Sequence, residues 1–314
     1  MFVCVSLNPA LDKRLKLGVL QLGKVNRACN VEVAAGGKAA HVAMVLQTLG
    51  AKPVWLGFTG GASGAALVEG LRKLEIHVEA VSIAGATRMN LEIIEDEARV
   101  TEVLEPGPRI TGEELTAFEQ RFQDILAAAA QHAIVTLSGS LPPGVPTNYY
   151  ATLIAMAHKY HGRVLLDTSG EALQSGLAAC PDFVKPNQDE AERLSGRIIL
   201  DASSAADVLK QFIERGAGAG AISLGADGLV SRSKVSGPAL MARVPKQASR
   251  SCVGSGDASL AGFALAAQQE LTPIETLRLS AACGVANCLA ESPGRARAAD
   301  IERFKREIQV ETLE

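Results

Sequence analysis

Residues 252–262, Cys-Val-Gly-Ser-Gly-Asp-Ala-Ser-Leu-Ala-Gly, set two glycines and a serine directly before an acid, at the start of an apolar run with helical character. Glycines let backbone N–H groups turn toward an anion with no side chain in the way. A helix start adds its own unpaired donors and the positive end of its dipole. Asp257 then sits where negative charge gathers on a transferring phosphoryl group, within reach of a proton leaving an attacking hydroxyl. The spacing therefore predicts an anion hole made by Gly254, Ser255 and Gly256, with Asp257 as general base. The competing reading is a glycine-rich turn capped by Ser255 or Asp257, since an acid in a first helical turn is also ordinary capping chemistry.

The elements that must hold such a turn read as alternating strands and helices. Short β-rich runs at 2–7, 53–58, 132–139, 163–170, 182–187 and 220–228 each end in turn residues. Helical patterns cover 38–49, 62–74, 111–130, 147–160, 187–195 and 203–215, and two more cover 256–270 and 273–290. This rhythm predicts a parallel sheet with helices on both faces. Residues 12–34 and about 86–106 break it with alternating, non-helical patterns. The second holds a hairpin turning at Glu95-Asp96-Glu97, and both belong to a small β-sheet projecting from the main layer. Ligands of open parallel sheets sit at the carboxyl ends of the strands. Asn8, Asp12, Ser138, Ser140, Lys185, Asn187, Glu190 and the Ser-Leu-Gly-Ala-Asp-Gly turn from Ser223 all fall at such ends.

The bulk composition narrows the field. The chain has 314 residues, 47% hydrophobic and 21% charged, with a formal net charge of −3. That suits a globular protein with one large core and gives no basic excess for nucleic acid. No apolar run approaches the ~20 residues of a membrane span. The opening residues are charged too early for a secretion signal. The six cysteines form no Cys-x-x-Cys pair and no metal pattern, so buried reduced thiols and a cytoplasmic setting are expected.

Taken in order, the motifs resemble those of the ribokinase/PfkB-like carbohydrate kinases, and most of all the sugar-phosphate branch of tagatose-6-phosphate kinase and 1-phosphofructokinase. They are LNPALD (7–12), KVNRA (24–28), AGGK (35–38), GFTGG (57–61), TRMN (87–90), LEPGP (104–108), SGSLPPG (138–144), LDTSGEAL (166–173), VKPNQDE (184–190), SLGADG (223–228) and VGSGDASLAGF (253–263). The resemblance runs end to end. It implies one ribokinase-like three-layer α/β domain over 1–314, with a mostly parallel central sheet and a β lid made by the two insertions. It implies ATP and Mg2+ as cofactors and a sugar-phosphate acceptor, tagatose 6-phosphate ahead of fructose 1-phosphate or fructose 6-phosphate. Neither nucleic acid nor membrane is an expected partner.

Residue by residue, the resemblance makes Asp257 the base and gives Asp12, Gly36, Gly37, Lys38, Arg88, Asn90, Ser138 and Arg27 to the sugar side. Lys24 either adds charge there or reaches a neighbouring subunit. Lys185, Asn187, Ser223, Gly225, Asp227, Gly228 and Asn287 go to the nucleotide side, and Asn187 with Glu190 to magnesium, through water. The lid implies a homodimer. One stretch departs: the usual GGKGxNxA reads GGKAAHVA, so His41 stands where the family has an asparagine that touches the sugar. That departure keeps open a kinase of an unphosphorylated sugar or nucleoside, and a non-catalytic sugar-phosphate sensor.

Overall fold

In a computed structural model of the chain, which describes residues 1–96, 99–129, 132–246 and 251–313, the β-rich and helical runs become fourteen strands and ten helices. The strands are β1 (Phe2–Ser6), β2 (Ala10–Lys16), β3 (Asn30–Gly36), β4 (Pro53–Thr59), β5 (His77–Ser82), β6 (Arg88–Ile94), β7 (Val100–Leu104), β8 (Ile134–Ser138), β9 (Arg163–Asp167), β10 (Phe183–Val184), β11 (Gly220–Ser223), β12 (Leu229–Arg232), β13 (Ala239–Arg243) and β14 (Gln309–Leu313). The helices are α1 (Lys38–Thr48), α2 (Gly61–Lys73), α3 (Gly112–Ala128), α4 (Tyr149–Lys159), α5 (Gly170–Ala178), α6 (Gln188–Ser195), α7 (Ala202–Glu214), α8 (Ser255–Gln269), α9 (Pro273–Cys288) and α10 (Ala298–Glu307).

Ten strands make one sheet in the order β14-β13-β12-β11-β10-β9-β8-β1-β4-β5. Neighbours from β11 to β5 run parallel, while β12, β13 and β14 add an antiparallel margin. Period-two alternation sorts each strand's side chains to two cores. In β1, Phe2 and Cys4 join the core under α1, α2, α8, α9 and α10, whereas Val3 and Val5 join the one under α3 to α7. The three-layer α/β arrangement expected from the sequence is therefore present. Because the parallel strands point one way, the ends of β1, β8, β9, β10 and β11 share one edge.

The other four strands form the small sheet, in the order β3-β2-β6-β7. Its outer pairs are antiparallel, and β2 runs parallel to β6 with Asp12 opposite Asn90 and Arg14 opposite Glu92. The β6–β7 hairpin is the expected one, although Glu97 of its turn lies outside the described residues, as does Ala130 at the expected end of the third helix. Alternation buries Asp12, Arg14, Asn90 and Glu92 on the inner face. It leaves Val31, Val33, Met89 and Val103 exposed on the outer one. The buried Arg14 guanidinium meets Glu92 and Glu32 within the sheet and reaches across to the Glu291 carbonyl and the Ser292 hydroxyl in the loop after α9.

Several elements escape sequence reading. β5 and the antiparallel margin are short and carry polar interruptions, and α10 buries only Asp300, Ile301 and Phe304. Only β14 pairs far away in sequence, with β13; the others pair with neighbouring strands but are too short or too mixed for their periodicity to stand out. The cysteines also depart from expectation. Cys4 and Cys283 are buried, but Cys29, Cys180 and Cys252 are exposed. No helix among the described residues is long and apolar enough to cross a membrane.

Candidate active site

At one end of the small sheet, three elements bring three titratable groups together. Asp12 comes from β2, His41 from the first turns of α1 and Asp257 from the first turn of α8, and all three are buried. His41 Nδ1 lies 2.9 Å from Asp257 Oδ2, and its Nε2 lies 3.3 Å from Asp12 Oδ2. Asn90, opposite Asp12 across the sheet, donates to Asp12 Oδ1 at 3.0 Å. The glycines of the Gly-Gly-Lys motif act by absence. A Cβ on Gly36 would lie 1.9 Å from Asp12 Oδ2, so only glycine leaves room for that carboxylate. Gly37, at φ 83°, turns the chain from β3 into α1 in a region side chains avoid.

Lys38 begins α1, where the dipole disfavours a cation. The sequence leads one to expect a bound anion to compensate; the structure supplies a protein carboxylate. Lys38 Nζ lies 2.8 Å from Asp167 Oδ1, and Lys185 Nζ lies 3.0 Å from the other oxygen of the same group. Asp167 ends β9 and is fully enclosed. Burial alone would push its carboxyl up, but Lys185 and Lys38 outweigh that and hold it below the usual range. Burial likewise opposes the charge on Lys38, and Asp167, Asp257 and Glu190 more than offset it, raising its pKa.

The start of α8 adjoins this pair. Gly254 is the residue before the helix, with φ 76°, and a Cβ on Gly256 would lie 3.2 Å from Lys185 Nζ. The Ser255 amide already donates to the Cys252 carbonyl at 3.2 Å, which corrects the expectation that it forms part of an anion hole. Among the described residues, the amides of Gly254, Gly256 and Asp257 have no acceptor. Beside them opens a cavity of about 530 Å3, lined by Ser223, Gly225, Gly228, Ser255, Gly256 and Lys246 among others. Asp227 is exposed and does not line it.

The other expected residues are placed as follows. Arg88 donates to the backbone carbonyls of Asn8 and Glu105, tying β6 to the 104–108 loop. Burial lowers its pKa. Arg27 and Lys24 are exposed in the connection from β2 to β3. Asn287 Nδ2 donates to the Val253 carbonyl and its Oδ1 accepts from Gly294, so its side chain braces the turn before α8 rather than reaching a nucleotide. Ser138 is buried at the end of β8, and its hydroxyl has no partner among the described residues. Asn187 and Glu190 form a capping box at α6, with Asn187 Oδ1 accepting from Glu190 N and Glu190 Oε2 accepting from Asn187 N. Among the described residues no group of three or more acidic, histidine or cysteine side chains gathers for a metal.

Asp167 is the residue that sequence reasoning passed over. Its signal was present: an acid directly after the buried apolar run Val164–Leu166, before the Thr-Ser-Gly turn. Glu92 went unnoticed because nothing local marks it. It is buried beside Asp12, and burial with that neighbouring charge raises its pKa against the opposing Arg14.

Residues 10–298 match the family described as pfkB family carbohydrate kinase. Two structures of phosphofructokinase-2 from Escherichia coli, one in complex with fructose-6-phosphate and one a tetrameric inhibited form, each share 26% identity with the chain. Each superposes with a TM-score of 0.89 over 98% of both chains. A Thermotoga maritima protein described as a possible 1-phosphofructokinase shares 23% identity and the fold, with a TM-score of 0.86 over 100% of this chain and 99% of its own.

Proposed function

The chain belongs to the pfkB family of carbohydrate kinases, and from that premise we propose that it moves the γ-phosphoryl group of ATP to a hydroxyl of a ketohexose phosphate. The observation that carries this reading is the Asp257 carboxylate, in the first turn of a helix whose amides at Gly254, Gly256 and Asp257 are unengaged. The nucleotide lies in the cavity beside Ser223, Gly225 and Gly228, with its terminal phosphates toward α8 and Lys185. Asp12 accepts hydrogen bonds from hydroxyls of the sugar, an acceptor-only role that a carboxylate suits. Asp257 takes the proton as the hydroxyl oxygen bonds to phosphorus and the bond to the departing ADP breaks. Holding the acceptor in line and neutralising the transferring charge account for most of the acceleration.

Glu190 is the residue suited to a magnesium ion. Its Oε1 carries no partner among the described residues, and its charge already acts on Lys38 across the site. One carboxylate oxygen, water and nucleotide phosphates are what this ion prefers. When bound, it supplies charge neutralisation between the phosphates.

Fructose 6-phosphate now stands beside tagatose 6-phosphate as acceptor, because the Escherichia coli relative is in complex with it. A second reading, an unphosphorylated acceptor, draws on Arg88 and Arg27, since the first guanidinium is committed to backbone carbonyls and the second is exposed. A coupled ADP-release assay over fructose 6-phosphate, fructose 1-phosphate, tagatose 6-phosphate and their free sugars separates the two. Turnover confined to the phosphates upholds the first reading, and preference for free sugars overturns it.

Pairing through the lid completes the proposal. Val31, Val33, Met89 and Val103 line the outer face of the small sheet, a band that a second copy would cover. Val33→Glu is expected to shift the protein from dimer to monomer in light scattering; an unchanged mass would remove the lid from the interface.

A further inference from the structure

We propose that His41 is a positioning residue, a doubly protonated imidazole wedged between Asp12 and Asp257 that fixes Oδ1 of Asp257 as the proton-accepting atom. The claim rests on the kinase reading above for its catalytic part, and on geometry alone for the bridge.

Both ring nitrogens face carboxylate oxygens, at 2.9 and 3.3 Å. A neutral imidazole has only one N–H, so in that form a nitrogen lone pair would point at a carboxylate. Two protons remove that conflict. Burial by itself pushes the imidazole down, but hydrogen bonds and charge from Asp12 and Asp257 outweigh it and carry its pKa up to about 10. The surroundings agree in sign. Glu102 of β7 feels the His41 charge from the lid, and Glu92 of β6 lies beside Asp12, offset by Arg14. The nearest other cation on α1, Lys38, is paired with Asp167.

Three consequences follow for the reaction. First, the imidazolium lies between the two carboxylates and presents one N–H to an oxygen of each. Second, Asp257 Oδ2 is occupied, and Oδ1 has no partner among the described residues. The hydroxyl proton therefore passes to Oδ1 while His41 keeps both of its own. Third, with neither nitrogen left over, His41 cannot contact the sugar as the family's asparagine does, and the expectation that it binds substrate is replaced. The base of the His41 side chain is closely packed: a Cβ on Gly294 would lie 2.9 Å from His41 Cα, and the Gly294 amide is held by Asn287, which also braces the turn before α8.

Two measurements on the full chain test this. With 15N-labelled histidine, imidazole 1H–15N correlation spectra at pH 8, recorded without ligand, should show both nitrogens of one of the five histidines protonated, and the signal should vanish in His41→Asn. A His41 ring with one bare nitrogen at that pH overturns the bridge whatever the chain's activity. In the coupled assay, His41→Asn should lower kcat by about tenfold or more and leave the acceptor KM within about threefold, the pattern of lost transition-state alignment. A raised KM with unchanged kcat would make His41 a sugar contact after all. Should the wild-type chain phosphorylate no acceptor in the panel, the kinase reading falls, while the spectra still decide the bridge; should the variant not fold, the wild-type spectra decide it with the signal followed through Asp12→Asn.

Discussion

Asp257→Asn should release ADP at least ~100-fold more slowly than the wild-type chain at saturating sugar phosphate, the low end of what removing a general base costs. The substitution suits the question because it changes little else. Asparagine has the same shape, and its carbonyl oxygen can still accept from His41 Nδ1, which lies 2.9 Å from Oδ2 in the native chain. The amides of Gly254, Gly256 and residue 257 remain in place, so phosphate binding survives. What disappears is an atom able to take the hydroxyl proton, and kcat should carry the loss while KM for ATP stays close to native. Turnover within fivefold of wild type would strip Asp257 of its role and reduce the glycine turn to a helix cap.

The second large effect is on stability. Asp167→Asn should cost about 3–5 kcal/mol, the usual penalty for leaving a buried charge without its partner. Lys185 is the reason, since its ammonium is enclosed and Asp167 is its counterion at 3.0 Å. Lys38 adds less, because its side chain is 38% exposed and water can replace the lost carboxylate. Urea unfolding should show the midpoint falling with the slope unchanged. The pH dependence has a definite sign. Because the folded-state pKa of Asp167 is depressed, its contribution is present above the ordinary carboxylate range and is lost as the pH falls through the folded value. The gap between wild type and variant should therefore narrow below about pH 4. A gap that persists unchanged into acid would mean that the ionised carboxylate is not what the substitution removes.

The contrast between these two residues explains what could be read before any fold was known. Asp257 announced itself because its chemistry is local: glycines, serine and acid in a row dictate a turn, open amides and a carboxylate whatever the rest of the chain does. The same holds for the parallel strands, whose apolar runs and terminal turns put Ser138, Lys185 and Ser223 on one edge. Asp167 was in plain view at a strand end, but its importance depends on two lysines, one 129 residues away, and no pattern in the chain pairs them. His41 is the sharper case. Its identity was visible, and its departure from the Gly-Gly-Lys pattern was visible, yet whether it touches sugar or carboxylate depends on β2, α1 and α8 meeting. Asn187 and Glu190 show the opposite failure. Their spacing fits both a capping box and an ion site, and the structure uses it for the cap while leaving one oxygen over. Arg27 shows a limit of motif reading, because a cation in a matching motif says nothing about where a long connection between strands will carry it.

Arg14 bears on how substrate gets in. A small sheet attached only through its strand ends would behave as a loose flap. Here one guanidinium, two residues along the strand from Asp12, clasps Glu92 and Glu32 and also grips the loop at Glu291 and Ser292. Lifting that corner would tear a buried cation from four oxygens at once, so it serves as the fixed jamb of the doorway. The β7 margin is fastened separately, where Arg88 of β6 donates to the Glu105 carbonyl just past the strand. The same fastening gives the 291–292 loop leverage over Asp12, so a change there can be felt at that carboxylate from a distance.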